Sequence, residues 1–113
     1  MHEYSIAYDI FATARKSALD NSATKINKVH MSVGEMTMIN PEQVVFLFNT
    51  MRDEDPLFKD CILEYTDAPV KSVCKCGYEG SEKYVCPDCG GMPEIIEGRE
   101  VRVTNIEIEV DEE

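Results

Sequence analysis

The stretch that decides the fold of the second half of this chain is Cys74-Lys75-Cys76-Gly77, followed by Cys86-Pro87-Asp88-Cys89-Gly90-Gly91. Four of the five cysteines of the chain fall within the sixteen residues from Cys74 to Cys89, among glycines and a proline. A segment this short cannot bury a hydrophobic core of its own, so another interaction must hold it together. The clustered thiols predict that this interaction is a bound metal ion.

The spacing of the four cysteines favours zinc. Zinc takes four thiolate or imidazole ligands in a tetrahedron, and Cys86-x-x-Cys89-Gly90 has the usual form of a zinc knuckle. The first pair, Cys74-x-Cys76, is one residue shorter, but residues i and i+2 of an extended segment point to the same side. We therefore predict a structural zinc site at Cys74, Cys76, Cys86 and Cys89. Ordinary buried thiols, a redox dithiol and disulfides are the alternatives.

The composition predicts a small cytoplasmic protein. At 113 residues, 43% of them apolar, the chain is long enough for one compact domain and a small appendage. Its start lacks the basic segment of a secretory signal, and no apolar run approaches the roughly 20 residues that span a bilayer. In the cytoplasm thiols stay reduced, so clustered cysteines indicate metal rather than disulfides. The net charge of −11 repels phosphate and anionic lipid, so we expect neither nucleic acid nor a membrane as a partner.

Two helices are predicted on either side of a strand. Residues 5–19 predict a helix that carries Ile6, Ile10 and Ala14 on one side. Asn40-Pro41-Glu42-Gln43 is a typical helix start, with asparagine as the N-cap and proline at the first helical position. The apolar residues that follow at helical spacing are Val44, Leu47, Phe48 and Met51.

Three strands are predicted from alternating apolar residues. Residues 26–33 form the first, and the second contains Cys61, Leu63 and Tyr65 on its core side. We interpret Cys61 as a small buried hydrophobe, the alternative being a spare ligand for the metal site. In the last strand, which follows Pro93, the apolar parity switches, so a β-bulge is expected near Thr104-Asn105.

Together these elements predict an α+β fold, in which two helices pack on a small mixed three-stranded sheet with an inserted zinc-ribbon-like four-cysteine subdomain. We expect residues 1–69 and 95–113 to form the α+β domain. Residues 70–94 are expected to form the zinc-binding subdomain.

The N-terminal Met1-His2-Glu3 is a second candidate metal site. The α-amine of Met1, the backbone nitrogen of His2 and its imidazole can close adjacent chelate rings around one ion. Planar nitrogen coordination of this kind suits Ni(II) or Cu(II) rather than zinc. Alone the motif is weak, because a solvated terminal histidine is the commoner explanation. The other histidine, His30, is expected at the surface, with an auxiliary nickel or partner contact as the alternative.

Several stretches together resemble the HypA family of hydrogenase nickel-incorporation proteins, and the resemblance covers nearly the whole chain. Its specific parts are Met1-His2-Glu3 and the two cysteine pairs. Its generic parts are the strand end Val33-Gly34-Glu35, the helix from Val44 to Met51 and the closing segment Gly98-Arg99-Glu100-Val101 to Ile106-Glu107. The resemblance implies a metallochaperone, not an enzyme, that carries nickel as transient cargo at its N-terminus and structural zinc in a separate loop.

The resemblance also implies site residues and partners. His2 would ligate nickel, Met1 and Glu3 would contribute main-chain nitrogens, and Cys76, Cys86 and Cys89 would ligate zinc. Cys74 departs from the Cys-x-x-Cys spacing of the family. The implied partners are a HypB-type GTPase and the large subunit of NiFe hydrogenase, while a monomer and a weak dimer remain open.

Two other classes of function compete with this interpretation. One is a zinc-ribbon interaction module of transcription or RNA machinery, which the acidic charge disfavours. The other is a redox protein of rubredoxin type, with one iron held by the four cysteines. No nucleophile-base pair and no phosphate-binding loop is recognisable in the sequence.

Overall fold

The computed structural model describes residues 3–111, which contain two helices, α1 (Glu3–Asp20) and α2 (Pro41–Arg52). The same residues form six strands: β1 (Ala23–Gly34), β2 (Ile62–Ala68), β3 (Lys71–Val73), β4 (Glu79–Gly80), β5 (Glu94–Glu97) and β6 (Val101–Val110). Single turns of 3₁₀ helix lie at Glu35–Thr37 and Pro56–Phe58. No helix between residues 3 and 111 is long and apolar enough to cross a membrane.

The larger sheet has the strand order β2-β1-β6. Its central strand β1 pairs in parallel with β2, where Val29 lies opposite Leu63, and antiparallel with β6, where Val29 lies opposite Ile106. A parallel pair needs a crossover connection, which the segment containing α2 supplies. The register shifts between His30 and Met31, leaving Thr104 of β6 without a partner. The predicted mixed sheet and its bulge are therefore confirmed.

The two helices and the larger sheet enclose the core and are here called the helical domain. The predicted inner side of α1 is buried, and in α2 Val44 and Phe48 are buried while Leu47 and Met51 lie against them. Cys61 is fully buried and desolvation raises the pKa of its thiol to about 11, which confirms it as a core residue. The buried apolar residues of this core are Ile6, Ala7, Ile10, Ala14, Ala18, Ile26, Val29, Met31, Val33, Val44, Phe48, Phe58, Cys61 and Leu63.

The start of α2 follows the predicted capping chemistry. The side-chain oxygen of Asn40 accepts hydrogen bonds from the backbone N–H groups of Glu42, at 3.0 Å, and Gln43, at 3.2 Å. These groups would otherwise lack partners in the first turn of the helix. The cap fixes where α2 begins and thus the course of the chain just before it.

A second sheet, of order β4-β3-β5, carries the four clustered cysteines, and residues 70–97 are here called the cysteine module. Both of its pairings are antiparallel, with Ser72 opposite Gly80 in β4 and opposite Ile95 in β5. The division into residues 1–69 with 95–113 and 70–94 remains a prediction. The pairing of β5 with β3 favours a second boundary after residue 97, because it groups residues 94–97 with the smaller sheet.

Candidate metal centres

The first cysteine pair lies in a tight turn that leaves β3. The backbone N–H of Gly77 donates to the carbonyl of Cys74 at 2.9 Å, and the N–H of Cys74 donates to the carbonyl of Tyr78 at 2.9 Å. Gly77 has φ of 101°, a conformation that L side chains rarely adopt. The turn therefore reverses the chain within a few residues and presents Cys74 and Cys76 together.

The second pair lies in a similar turn that is one residue longer. The N–H of Gly90 donates to the carbonyl of Cys86 at 2.9 Å, and the N–H of Cys86 donates to the carbonyl of Gly91 at 2.7 Å. The N–H of Gly91 also points to Sγ of Cys89 at 3.4 Å. This backbone donor favours the thiolate of Cys89, but the neighbouring thiols of Cys74 and Cys86 outweigh it, so the pKa of Cys89 is raised.

The two turns bring all four sulfurs together, with every pair of Sγ atoms within 4.8 Å. Sγ of Cys74 lies 3.5 Å from Sγ of Cys89, and Sγ of Cys76 lies 3.6 Å from Sγ of Cys86. Tetrahedral zinc with Zn–S of about 2.3 Å needs sulfurs about 3.8 Å apart, whereas a disulfide needs about 2.05 Å. The shorter spacing of Cys74-x-Cys76 thus still brings both sulfurs into a set that fits one tetrahedral ion.

The crowded thiols have unequal acidities. The backbone N–H of Cys76 and the thiol of Cys89 lower the pKa of Cys74 to about 7. The backbone N–H of Tyr78 favours the thiolate of Cys76, but the neighbouring thiol of Cys86 and desolvation outweigh it and raise the pKa of Cys76 to about 12. Four thiolates at this separation need a cation to offset their repulsion, so the donor set fits a divalent metal.

At the other candidate centre, Met1 and His2 lie outside the described residues, and Glu3 begins α1. The side-chain oxygen Oε2 of Glu3 accepts from the backbone N–H of Asn40 at 3.4 Å. This contact places the start of α1 beside the start of α2. The predicted role of Glu3 as a nickel ligand uses its backbone nitrogen, so this side-chain contact does not involve the predicted ligand atom.

His30 lies on the face of the larger sheet opposite the helices and is half-buried. Its Nδ1 lies 3.0 Å from Oε1 of Glu64 and its Nε2 lies 2.5 Å from Oγ1 of Thr66. Both ring nitrogens thus have partners on β2. A metal ion at His30 would have to displace one of them, which favours the interpretation of His30 as a sheet-surface residue.

Sequence reasoning missed one pair of contacts near the cysteine cluster. Oε1 of Glu35 accepts from the backbone N–H of Val70 at 3.0 Å, and its Oε2 forms an ion pair with Lys83. The hydrogen bonds from Lys83 and Val70 lower the pKa of the Glu35 carboxyl. No sequence signal points to this contact, since Lys83 lies in a loop distant from Glu35 along the chain.

A family model described as "Hydrogenase/urease nickel incorporation, metallochaperone, hypA" matches residues 1–108. The hydrogenase maturation factor HypA of Methanocella arvoryzae is 36% identical over 97% of this chain and 100% of its own length. The hydrogenase/urease maturation factor HypA of Helicobacter pylori is 32% identical over 96% of this chain and 97% of its own. Both relatives therefore align with the helical domain and the cysteine module together.

The fold of this chain also matches that of a solved structure over nearly the whole length of both chains. The solution structure of the Ni metallochaperone HypA from Helicobacter pylori superposes with a TM-score of 0.79 at 30% identity, covering 98% of this chain and 100% of that one. A metallochaperone carries a metal ion rather than catalysing a reaction, so the family is not one of enzymes. This chain belongs to the HypA family of hydrogenase/urease nickel-incorporation metallochaperones.

Proposed function

We propose that this chain binds Ni(II) through Met1, His2 and Glu3 and delivers it during the maturation of NiFe hydrogenase. The observation that carries the proposal is the match over residues 1–108, which include this terminus, to a family described by nickel incorporation. The terminal amine, the backbone nitrogens and the imidazole supply the planar nitrogen set that Ni(II) prefers.

The start of α1 is a suitable place for a transient cation only if the positive potential of the helix N-terminus is offset. Backbone N–H groups make the N-terminus of a helix partly positive, which repels a metal ion. The carboxylate of Glu3, in the first turn of α1, opposes this effect. The α-amine has an ordinary pKa of about 7.7–8.0 and must lose its proton to bind, so nickel affinity should rise with pH across neutrality.

The proposed role of Cys74, Cys76, Cys86 and Cys89 is to hold one structural zinc ion. The separations of their sulfurs and the all-thiolate donor set support this assignment. Iron in the same site, as in a rubredoxin-type protein, would give a coloured protein, whereas zinc thiolates are colourless. A visible absorption spectrum of the purified protein separates the two.

The proposed partners are a HypB-type GTPase and the hydrogenase large subunit, with the transfer in the cytoplasm. A carrier hands its metal on through contact with another protein, so the face around the start of α1 would lie near that interface. The net charge of −11 disfavours nucleic acid and anionic membranes as partners. The family descriptions of hydrogenase and urease maturation support protein partners of this class.

Nickel titration with the native N-terminus intact tests the proposal. His2→Ala removes the imidazole, and one residue added before Met1 removes the terminal amine while keeping every side chain. Both changes should abolish stoichiometric nickel binding in equilibrium dialysis and leave the zinc content unchanged. His30→Ala is the matched control, because it removes the other histidine, and should have little effect. Equal nickel affinity in the extended protein would contradict the terminal chelate.

A further inference from the structure

We propose that Glu35 is a positioning residue that holds the cysteine module in one orientation against the helical domain by bonding to both Val70 and Lys83. Glu35 directly follows β1, the central strand of the larger sheet. Val70 opens the cysteine module, and Lys83 lies in its loop between β4 and β5. One carboxylate thus contacts two separate parts of the module.

The chain passes between the two sheets twice, and both passages meet the segment from Gly34 to Met36. The first passage is bound by the Val70 N–H, which donates to Oε1 of Glu35 at 3.0 Å. At the second, the N–H of Gly34 donates to the carbonyl of Glu100 at 3.0 Å, and the N–H of Met36 donates to the carbonyl of Gly98 at 2.8 Å. Three consecutive residues therefore anchor both connections.

The backbones at this junction are in close contact. A Cβ atom on Gly34 would lie 2.5 Å from the carbonyl carbon of Gly98, and one on Gly98 would lie 2.9 Å from Cα of Val70. Gly98 also has φ of 98°. The glycines let the two passages cross, but they supply no side chain that could fix the angle of the module. A contact further from the crossing point is needed for that.

The ion pair between Glu35 and Lys83 is such a contact. Lys83 lies three residues before Cys86, so its ion pair links Glu35 to the side of the module that carries the second cysteine turn. An exposed ion pair alone contributes little. Here the same carboxylate also accepts the Val70 N–H through Oε1. This bond fixes the position of the carboxylate and directs its Oε2 at Lys83.

Glu35 is also close along the chain to the start of α2. The 3₁₀ turn Glu35–Thr37 is closed by a hydrogen bond from the Thr37 hydroxyl to the carbonyl of Gly34 at 2.8 Å. Met38 then adopts a left-handed conformation with φ of 57°, and two residues later the N–H of Asn40 donates to Glu3. Glu35 is thus five positions from Asn40, the N-cap of α2 that contacts the start of α1.

Residual dipolar couplings of the zinc-loaded protein test this inference. In the native chain one alignment should fit the backbone N–H vectors of the helical domain and of the cysteine module. Glu35→Ala removes both bonds, so the module should lose the common alignment while each part still fits by itself. Exchange of the Val70 amide hydrogen should become about tenfold faster, because a bond to a charged acceptor is lost. Lys83→Met removes only the ion pair and should reduce the common alignment in part.

Glu97→Ala is the matched control, because it removes an exposed carboxylate at the end of β5, next to the same junction. It should keep the native alignment. A common alignment that survives in Glu35→Ala would overturn the proposal, as would its loss in Glu97→Ala. If Glu35→Ala does not fold, Lys83→Met decides: a native alignment there overturns the role of the ion pair, and a reduced one with full zinc content supports it.

Discussion

The helical domain and the cysteine module are stabilised in different ways. In the helical domain, Phe48 and Phe58 are fully buried among side chains from both helices and the larger sheet. In the module, Tyr84, Val85 and Met92 are exposed, and few side chains besides Val70 and Cys86 are buried. Apolar burial stabilises the first part by itself. The second part has too little of it, so we expect its structure to depend on the metal ion proposed to bind its four cysteines. Changes in one part should then leave the other largely intact.

The largest expected effect is removal of the metal from the cysteine module. Chelation should unfold residues 70–97 while α1 and α2 persist, because metal binding to a small thiolate site supplies about 10–16 kcal/mol of apparent folding free energy. Backbone amide NMR signals of the module should collapse to random-coil positions and those of the helical domain should stay dispersed. Cys89→Ala should have the same outcome and lower the zinc content measured by elemental analysis.

Two results would contradict the separate stabilisation of the two parts. A full zinc complement in Cys89→Ala would rule out the four-thiolate site. Loss of the helical signals on chelation would show that the helical domain also depends on the metal. The matched control is Cys61→Ala, which removes a cysteine of the helical domain and should keep one zinc per chain.

The second prediction concerns the helical domain, from whose core an aromatic ring is removed. The ring of Phe58 stacks on Phe11 with centroids 4.3 Å apart and meets the edge of Phe48 at 5.8 Å. Phe58→Ala should lower the free energy of unfolding of the helical domain by about 3–5 kcal/mol, because it leaves a cavity in a closely packed cluster. Denaturant titration followed by helical circular dichroism measures the loss.

Tyr84→Ala is the control for this change, because it removes an aromatic ring that is 69% exposed. It should change the same free energy by less than about 0.5 kcal/mol. Zinc content should remain at one ion per chain in both variants. Zinc loss in native buffer from Phe58→Ala would contradict the independence of the two parts.

Much of the helical domain could be predicted from the sequence because its signals are local. The cap at Asn40, the alternation in β1 and the parity switch in β6 each depend on residues a few positions apart, and the structure confirms them. The turn at Pro56–Phe58 was missed, because the acidic residues Asp53-Glu54-Asp55 before it indicate a loop and give no sign that Phe58 enters the core.

The arrangement around the candidate metal sites was less predictable from local signals. The cysteine spacing was enough to bring the four sulfurs together, since ligand chemistry constrains them. The pairing of β5 with β3 was not predicted, because a strand of four residues without apolar alternation does not specify a partner strand. The contact of Glu35 with Lys83 depends on how two sheets approach each other, which no local pattern records.

The smallest expected effect concerns Cys61, the one cysteine of the described residues that belongs to the helical domain. Cys61→Ala should lower the free energy of unfolding by about 1 kcal/mol, a typical cost for a small change in a core. The native thiol should also be inert, because burial raises its pKa to about 11 and little of it is thiolate at pH 8. Thiolate rises as pH approaches that pKa, so labelling should accelerate only in strong alkali or denaturant.

Thiol labelling at pH 8 counts the reactive cysteines in each part of the molecule. The zinc-loaded protein should react at none of its cysteines, since zinc protects four and burial protects Cys61. After chelation four thiols should react while Cys61 does not, and mass spectrometry of the labelled peptides distinguishes them. The chelated Cys61→Ala protein should take up the same four labels. Labelling of Cys61 as fast as Cys89 after chelation would mean that the core opens with the module, and the two parts would then share one source of stability.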